Sequence, residues 1–369
     1  MKENISLSNK IKKRNYIPNP KDILSRESGM IVKNKMENLN KTIEDEFKQN
    51  PSNFTLPPFR FYTNKNVSKK SIFDKKKCFI TSLFINESYL PSTFIWAQSF
   101  RNQHTKYPII CLIQDKPYQV NKNTTFEGIS KKIIKELLQF FDMVIGTDLI
   151  EVKGYKPPRS TKYPDLRHVT EEENYKNIRF YVTKMKIVGL TQFEQIFYID
   201  SAAYIGENID FVFEKYNGNY FHSLKQEYEF HQTGAGGSHF MIKPKITYYY
   251  KLILLVKKYH YFFSDLFFKN TVDETILYYS IFPHWTGIID LFSILCYKRW
   301  TKGKPDCPIR HFQKYKPFRK LPNKNNYTQI TPFAFEEWDL LAKQVIQHSP
   351  NLIHYYEPIG KIRKTIIFS

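Results

Sequence analysis

Long apolar runs are missing. Nothing in the 369 residues approaches the ~18–20 consecutive apolar residues of a membrane span. The opening MKENISLSNKIKKRNY lacks the apolar stretch of a secretory leader, so a cytoplasmic location is the expectation. Cysteine is scarce: four residues, Cys78, Cys111, Cys296 and Cys307, with no CxxC and no zinc spacing. That excludes a disulfide scaffold, and the apolar surroundings of Cys78 and Cys111 mark them as reduced core residues. Glycine is also sparse, at 13, and no internal repeat is visible. Acidic residues are in deficit, 35 Asp+Glu against 56 Lys+Arg, for a net charge of +21.

A hydrophobic content of 41%, 17% of it aromatic in terms of the whole chain, supplies a full core and excludes a wholly disordered chain. The excess of positive charge has two readings. One is a polyanionic partner. The other is codon bias, since Lys, Asn, Ile, Phe and Tyr are all encoded by A/T-rich codons and are all abundant. No nucleic-acid motif or basic helical stripe is present, so no specific nucleic-acid partner is expected. The charge is uneven as well: residues 1–77 carry 18 Lys/Arg and 8 Asp/Glu, which is +10 of the +21.

That first segment is broken at Pro18, Pro20, Pro51, Pro57 and Pro58 and reads as a basic extension over 1–76, with a short helix near Met30–Phe47. Strand-like and helix-like stretches then alternate. CFITSLF (Cys78–Phe84) is a strand, and Leu90–Asn102 a helix with Pro91 in its first turn. Tyr107–Ile113 is a strand, Ile129–Phe140 a helix and Asp142–Ile145 a strand. A helix from about Tyr175 to Leu190 leads into the strand Gln195–Ile199, which ends on Asp200. This alternation predicts an α/β fold with a mostly parallel central sheet flanked by helices. Ligands collect at the carboxyl ends of such strands, where Asn86 and Asp200 fall. Further on, His231–Pro244 combines a Gly-rich turn with a strand, and Tyr248–Phe268 reads as a buried helix. Glu336–His348 has helical spacing within a C-terminal extension over 321–369.

Five blocks, in order, resemble glycosyltransferase family 8, the glycogenin-like transferases. They are the strand and loop through Asn86-Glu87-Ser88-Tyr89, the stretch Thr183-Lys184-Met185 to Asn208-Ile209-Asp210, Gly236–Pro244, Val272–Leu277 and Arg310–Phe318. The resemblance covers roughly residues 77–320 and implies the GT-A nucleotide-diphospho-sugar transferase fold. It also implies retaining transfer of a hexose from a UDP-sugar to a hydroxyl acceptor, and is compatible with a homodimer. Phe84, Asn86 and Tyr89 match the positions that hold uracil and ribose. Lys184, Ser201, Gly236, Gly237 and Lys316 match positions around the diphosphate and sugar. Asp200 and His311 match ligands of Mn2+ or Mg2+, and Asp273 and Glu274 match the pair facing the sugar.

The departures from the family pattern are as informative. The Asp-x-Asp motif reads Asp200-Ser201-Ala202, so one of two carboxylates is gone and an oxygen-ligated cation is held more weakly or not at all. Gly236 stands where the family has a sugar-contacting Asn, and Glu274 where it has Gln. The block after His311 is one residue short. These losses keep a second reading open: a transferase-like protein that binds nucleotide or a partner without turnover.

Overall fold

The computed structural model of the protein describes residues 38, 41–55, 57–84, 89–121, 124–151, 179–222, 236–259, 281, 287–289, 295–296, 308–312 and 332–359. Thirteen strands are placed: β1 (Arg60–Thr63), β2 (Lys77–Leu83), β3 (Ile109–Gln114), β4 (Tyr118–Asn121), β5 (Thr124–Phe126), β6 (Met143–Thr147), β7 (Gln195–Ile199), β8 (Ala203–Ile205), β9 (Tyr220–His222), β10 (Gly236–Ile242), β11 (Gly287–Ile289), β12 (Leu295–Cys296) and β13 (Ile309–His311). The helices that matter below are α1 (residues 41–49), α2 (Leu90–Asn102), α3 (Lys131–Leu137), α4 (residues 179–184), α5 (Ile246–Tyr259) and α6 (Pro332–His348).

Eight strands form the central sheet in the order β1-β6-β3-β2-β7-β10-β9-β11. The inner four, β6-β3-β2-β7, are mutually parallel. Antiparallel β1 closes one edge and antiparallel β10 follows β7 on the other side. The chain runs outward from β2 to β3 to β6, then returns to place β7 on the opposite flank of β2. The strand order therefore reverses between β2 and β7, the position at which open α/β sheets bind ligands beyond their carboxyl ends. Asp200 follows β7 at that point.

Parallel strands must be covered on both faces, so they read as unbroken apolar runs. β3 is buried along its whole length, as IICLIQ requires. One face packs Phe79, Ile109, Cys111 and Phe197 against Phe94, Trp96 and Phe100 of α2 and Trp338 and Val345 of α6. The other packs Cys78, Ile80, Ile110 and Tyr198 against Val182 of α4 and Tyr248 and Leu252 of α5. Cys78 and Cys111 are free thiols inside these cores, and burial pushes both well above the usual thiol range. They are therefore inert at neutral pH.

Local signals explain the helix starts. Ser130 caps α3 by accepting the Ile133 N–H at 3.3 Å. Pro91 sits in the first turn of α2, where its missing N–H costs nothing. The expected helix to Leu190 is realised differently: α4 ends at Lys184, and Met185–Gly189 is a 3-10 segment. Eight short strands, β1, β4, β5, β8, β9, β11, β12 and β13, are not signalled in the sequence. β1 is four half-exposed residues, and β8 and β13 are three residues each, too short for any periodicity to show. A three-stranded sheet, β12-β13-β8, carries the chain after Asp200 away from the central sheet. No helix among the described residues is long and apolar enough to cross a membrane.

At the carboxyl ends of β3 and β6 sits a polar network. Arg60 donates from Nε to Asp115 Oδ2 at 2.6 Å, and from Nη2 to Asp115 Oδ1 and, at 2.9 Å, to Asp148 Oδ1. Tyr62 Oη donates to Asp115 Oδ2 at 2.7 Å. Burial pushes the Asp115 carboxyl up, but the bonds from Arg60 and Tyr62 outweigh it and the group lies below the usual carboxylate range. Gly146 makes room for this: a Cβ there would lie 2.1 Å from Asp115 Oδ2. Gly146→Ala must push the carboxylate off both donors, and should cost about 2–3 kcal/mol of stability. A shift in urea midpoint at constant m-value is the measurement.

Lys186 lies in the same network, donating to Thr147 Oγ1 at 3.1 Å and to the Asp148 carbonyl at 2.6 Å. Burial pulls its pKa down to about 8, against a partial opposing pull from the Asp148 charge. The native pKa lies below the unfolded one, so between about pH 8 and 10.5 the unfolded chain binds more protons and stability rises with pH. Below that window the charged, buried ammonium costs roughly 3 kcal/mol. Lys186→Met should remove this rise. The wild-type-minus-variant difference in unfolding free energy, followed from neutral pH into the alkaline range, tests it, and a flat difference would refute it.

Candidate functional site

The site is assembled around one turn. β7 ends at Ile199, and residues Asp200–Ala202 lead into β8. The Asp200 side chain accepts the Ala202 N–H through Oδ1 at 3.1 Å, and its carbonyl accepts the Ala203 N–H at 3.0 Å, so Asp200 folds the turn it belongs to. Three neighbours clamp it. The Asp200 N–H donates to the Ser238 carbonyl of β10 at 2.8 Å, and the Phe312 N–H, just after β13, donates to the Ala202 carbonyl at 3.0 Å. Ser92 Oγ, in the first turn of α2, donates to the Ser201 carbonyl at 2.6 Å. The central sheet, the small sheet and α2 thus meet at Asp200–Ala202.

Ala202 has no exposed surface and belongs to the same hydrophobic core as the apolar residues of α2 and Ile309 of β13. A carboxylate at this position would be buried. Ala202→Asp therefore carries a desolvation cost and is not a simple restoration of a ligand.

His311 closes β13 opposite Ala203. Its ring meets that of His239, which lies on β10 opposite Ile199, with centroids 5.2 Å apart and planes at 86°. His239 was not singled out in the sequence; the available signal was a polar ring in the otherwise apolar run HFMI after Gly236-Gly237-Ser238.

Lys184 is buried, at 6% exposure, and not on a solvated helix face. Its ammonium lies 5.2 Å from the ring centre of Tyr198 and 5.7 Å from that of Tyr181. Such contacts are worth ~0.5–2 kcal/mol each, rising as water is excluded. Tyr198 is itself fixed, its hydroxyl 2.9 Å from Ser82 Oγ at the end of β2 and its ring stacked on Phe240 at 4.9 Å. Tyr198 precedes Asp200 by two residues on β7, so the lysine is held against the strand that carries the aspartate.

The other expected site residues fall as follows. Phe84 is buried and stacked on Phe180, with centroids 5.8 Å apart and planes within 7°. Tyr89 is partly buried at the start of α2, where its carbonyl accepts Thr93 Oγ1 at 2.9 Å. Ser201 is buried within the turn. Gly236 and Gly237 open β10, Gly236 pairing with His222 across a bulge. Asn86, Asp273, Glu274 and Lys316 lie outside the described residues. Asp200 and Ser201 thus lie in the turn after β7, His311 stands opposite Ala203 just beyond it, and Lys184 lies against Tyr198 of β7.

No protein-family model matches the sequence, and no curated protein sequence matches it. Solved structures do match. A galactosyltransferase, LgtC, in complex with donor and acceptor sugar analogues aligns at a TM-score of 0.50 with 11% identity, over 72% of this chain and 95% of its own. The glycosyltransferase GlyE of Streptococcus pneumoniae TIGR4 aligns at 0.40 with 13% identity, over 74% of this chain and 63% of its own. The bifunctional glycosyltransferase WbbM aligns at 0.44 with 10% identity, over 78% of this chain and 54% of its own. Mixed α/β layering, a mostly parallel sheet that reverses its order beside β2 and the alignment along almost the whole of LgtC together show that this chain has the GT-A glycosyltransferase fold.

Proposed function

We propose that the protein transfers a hexose from a UDP-sugar to a hydroxyl acceptor with retention. The observation that supports this most directly is the placement of Lys184, Asp200 and His311 around the end of β7, at the reversal point of a GT-A sheet. In this reading Phe84, Asn86 and Tyr89 border the nucleoside. Lys184 and Lys316 neutralise the diphosphate, Ser201, Gly236 and Gly237 line the path of the diphosphate and sugar, and Asp273 and Glu274 face the sugar.

Among the described residues the expected ligands, Asp200 and His311, are a poorer donor set than Mn2+ or Mg2+ takes. Hard cations take oxygen-rich sets of several carboxylates. Among the described residues no three His, Cys, Asp or Glu side chains gather as a ready-made ligand set, and position 202 offers only a buried methyl. No step is therefore routed through such an ion. The charge that develops on the departing UDP is met by Lys184, an ammonium held in place by two aromatic faces, and a preset charge of this kind stabilises a leaving group without reorganising.

Burial of Ala202 also supports the second reading, a nucleotide binder without turnover. Calorimetry with UDP and an assay for UDP-sugar hydrolysis separate the two. Wild-type protein should bind UDP in chelator-treated buffer, and Lys184→Met should weaken binding about 10- to 100-fold, the worth of one charge-assisted contact to phosphate. Binding with no release of sugar to water or acceptor would select the silent reading. Absence of UDP binding would sink both.

A further inference from the structure

His239 and His311 bracket the Asp200–Ala202 turn from two different sheets. The residue before His239 holds the Asp200 N–H, and the residue after His311 donates to the Ala202 carbonyl. Both residues are almost wholly buried, at 2% and 6% exposure, and His311 stands opposite Ala203 in the small sheet. Burying two imidazoles costs desolvation that two apolar side chains would not. His239 is also fixed through one ring nitrogen, Nδ1, which lies 3.0 Å from Ser238 Oγ. A hydrogen bond of that kind sets the tautomer and orientation of a metal-binding imidazole.

The spacing fits a shared ion. With a metal–nitrogen bond of about 2.05 Å, each ring centre lies about 3.2 Å from the ion, and a tetrahedral angle then separates the two centres by about 5.2 Å. The observed separation is 5.2 Å. Edge-to-face packing of two rings allows the same distance, so the identity of the ion is the discriminating property.

We propose that His239 and His311 form a two-imidazole cation site, selective for a borderline transition ion such as Zn2+, Co2+ or Ni2+ over Mn2+ or Mg2+. Neutral imidazole nitrogens favour those ions, whereas carboxylate oxygens favour the hard ones. In effect the site exchanges the carboxylate missing at position 202 for an imidazole at position 239. Two protein ligands leave the remaining positions to water or to diphosphate oxygens of the donor, a part of the proposal that rests on the nucleotide-sugar reading.

Titration of the full-length protein with Co2+, followed by visible absorption, with and without UDP, tests it. The expected result is one Co2+ per chain with the absorption of nitrogen-ligated cobalt, tightened by UDP, displaced by Zn2+ and not by Mn2+ or Mg2+. His239→Gln and His239→Val should each weaken Co2+ binding at least tenfold. Absence of the cobalt signal, displacement by Mn2+ as readily as by Zn2+, or binding indifferent to His239 would overturn the proposal. The wild-type order of metal displacement decides even if the variants fail to fold. UDP binding by chelated protein with no cobalt signal would remove the two-histidine site and leave the nucleotide reading intact. A His239-dependent cobalt signal in a protein that binds no UDP would establish the site and remove that reading.

Discussion

Glu337→Ala should lower the free energy of unfolding by about 3–5 kcal/mol, the usual cost of taking one partner from a buried ion pair. Arg310, at 1% exposure, is among the most deeply buried large side chains. Its Nη1 donates to both carboxylate oxygens of Glu337 on α6, and the Tyr204 hydroxyl of β8 donates to Oε2. Burial first, and then the bond to Glu337, pushes the Tyr204 hydroxyl well above the usual phenol range. One carboxylate therefore joins α6, β13 and β8. The space is cut to fit: a Cβ on Gly206 would lie 2.7 Å from Arg310 Cζ. Alanine at 337 takes this carboxylate from a guanidinium that is itself 1% exposed. Glu337→Gln keeps the volume and one acceptor oxygen, so its cost should be smaller. Equal costs for the two variants, read from urea midpoints, would show that shape and not charge holds the joint. Because His311 directly follows Arg310, the proposed nucleotide-sugar function adds that the alanine variant should weaken UDP binding at temperatures where it remains folded.

Periodicity and punctuation made most of the fold legible. The helix expected over Leu90–Asn102 has those bounds, and the strand expected over Gln195–Ile199 is β7. Both carry long buried runs, Leu90 to Ala97 in the helix and the whole of β7. Asp200 was legible for the same reason: it directly follows the apolar run Ile196–Ile199, which places it at a carboxyl end. The rest depends on partners distant in sequence. Arg60 meets Asp115 and Asp148, Arg310 meets Glu337, and His239 meets His311. No local pattern signals such pairs, because the sheet order that brings them together is set by crossovers. Lys184 shows the same limit in a different way. The motif located the residue, but its burial between Tyr181 and Tyr198 is a product of the tertiary fold.

Glu44→Ala should be about as costly as Glu337→Ala, near 3–5 kcal/mol, although it lies in the segment whose composition resembles a solvated basic tail. The structure lays the described part of it, residues 41–55, against the domain. Glu44 on α1 accepts from Lys251 Nζ of α5 at 2.7 Å, and the Lys251 side chain has no exposed surface. Burial draws the Lys251 ammonium below its usual range, with Glu44 pulling the other way. Around this pair Ile43 is buried, Phe54 packs between Phe47 and Tyr250, and Tyr250 Oη accepts the Thr55 N–H at 2.7 Å. Pro57 then reaches Gly189, where an added Cβ would lie 3.1 Å from the proline ring. A charge origin for the effect makes a specific demand: Glu44→Ala combined with Lys251→Met should recover most of the stability, since a buried pair replaced by apolar groups is often neutral. If the double variant is no better than Glu44→Ala alone, lost packing of α1 is the cause. The site is coupled to the outcome, because α5 and Pro57 support the 3-10 segment Met185–Gly189 that begins directly after Lys184, and the Lys245 N–H before α5 donates to the Val188 carbonyl at 2.9 Å. Under the proposed function, loosening α1 should therefore weaken UDP binding through Lys184, and the double variant should restore it in step with stability.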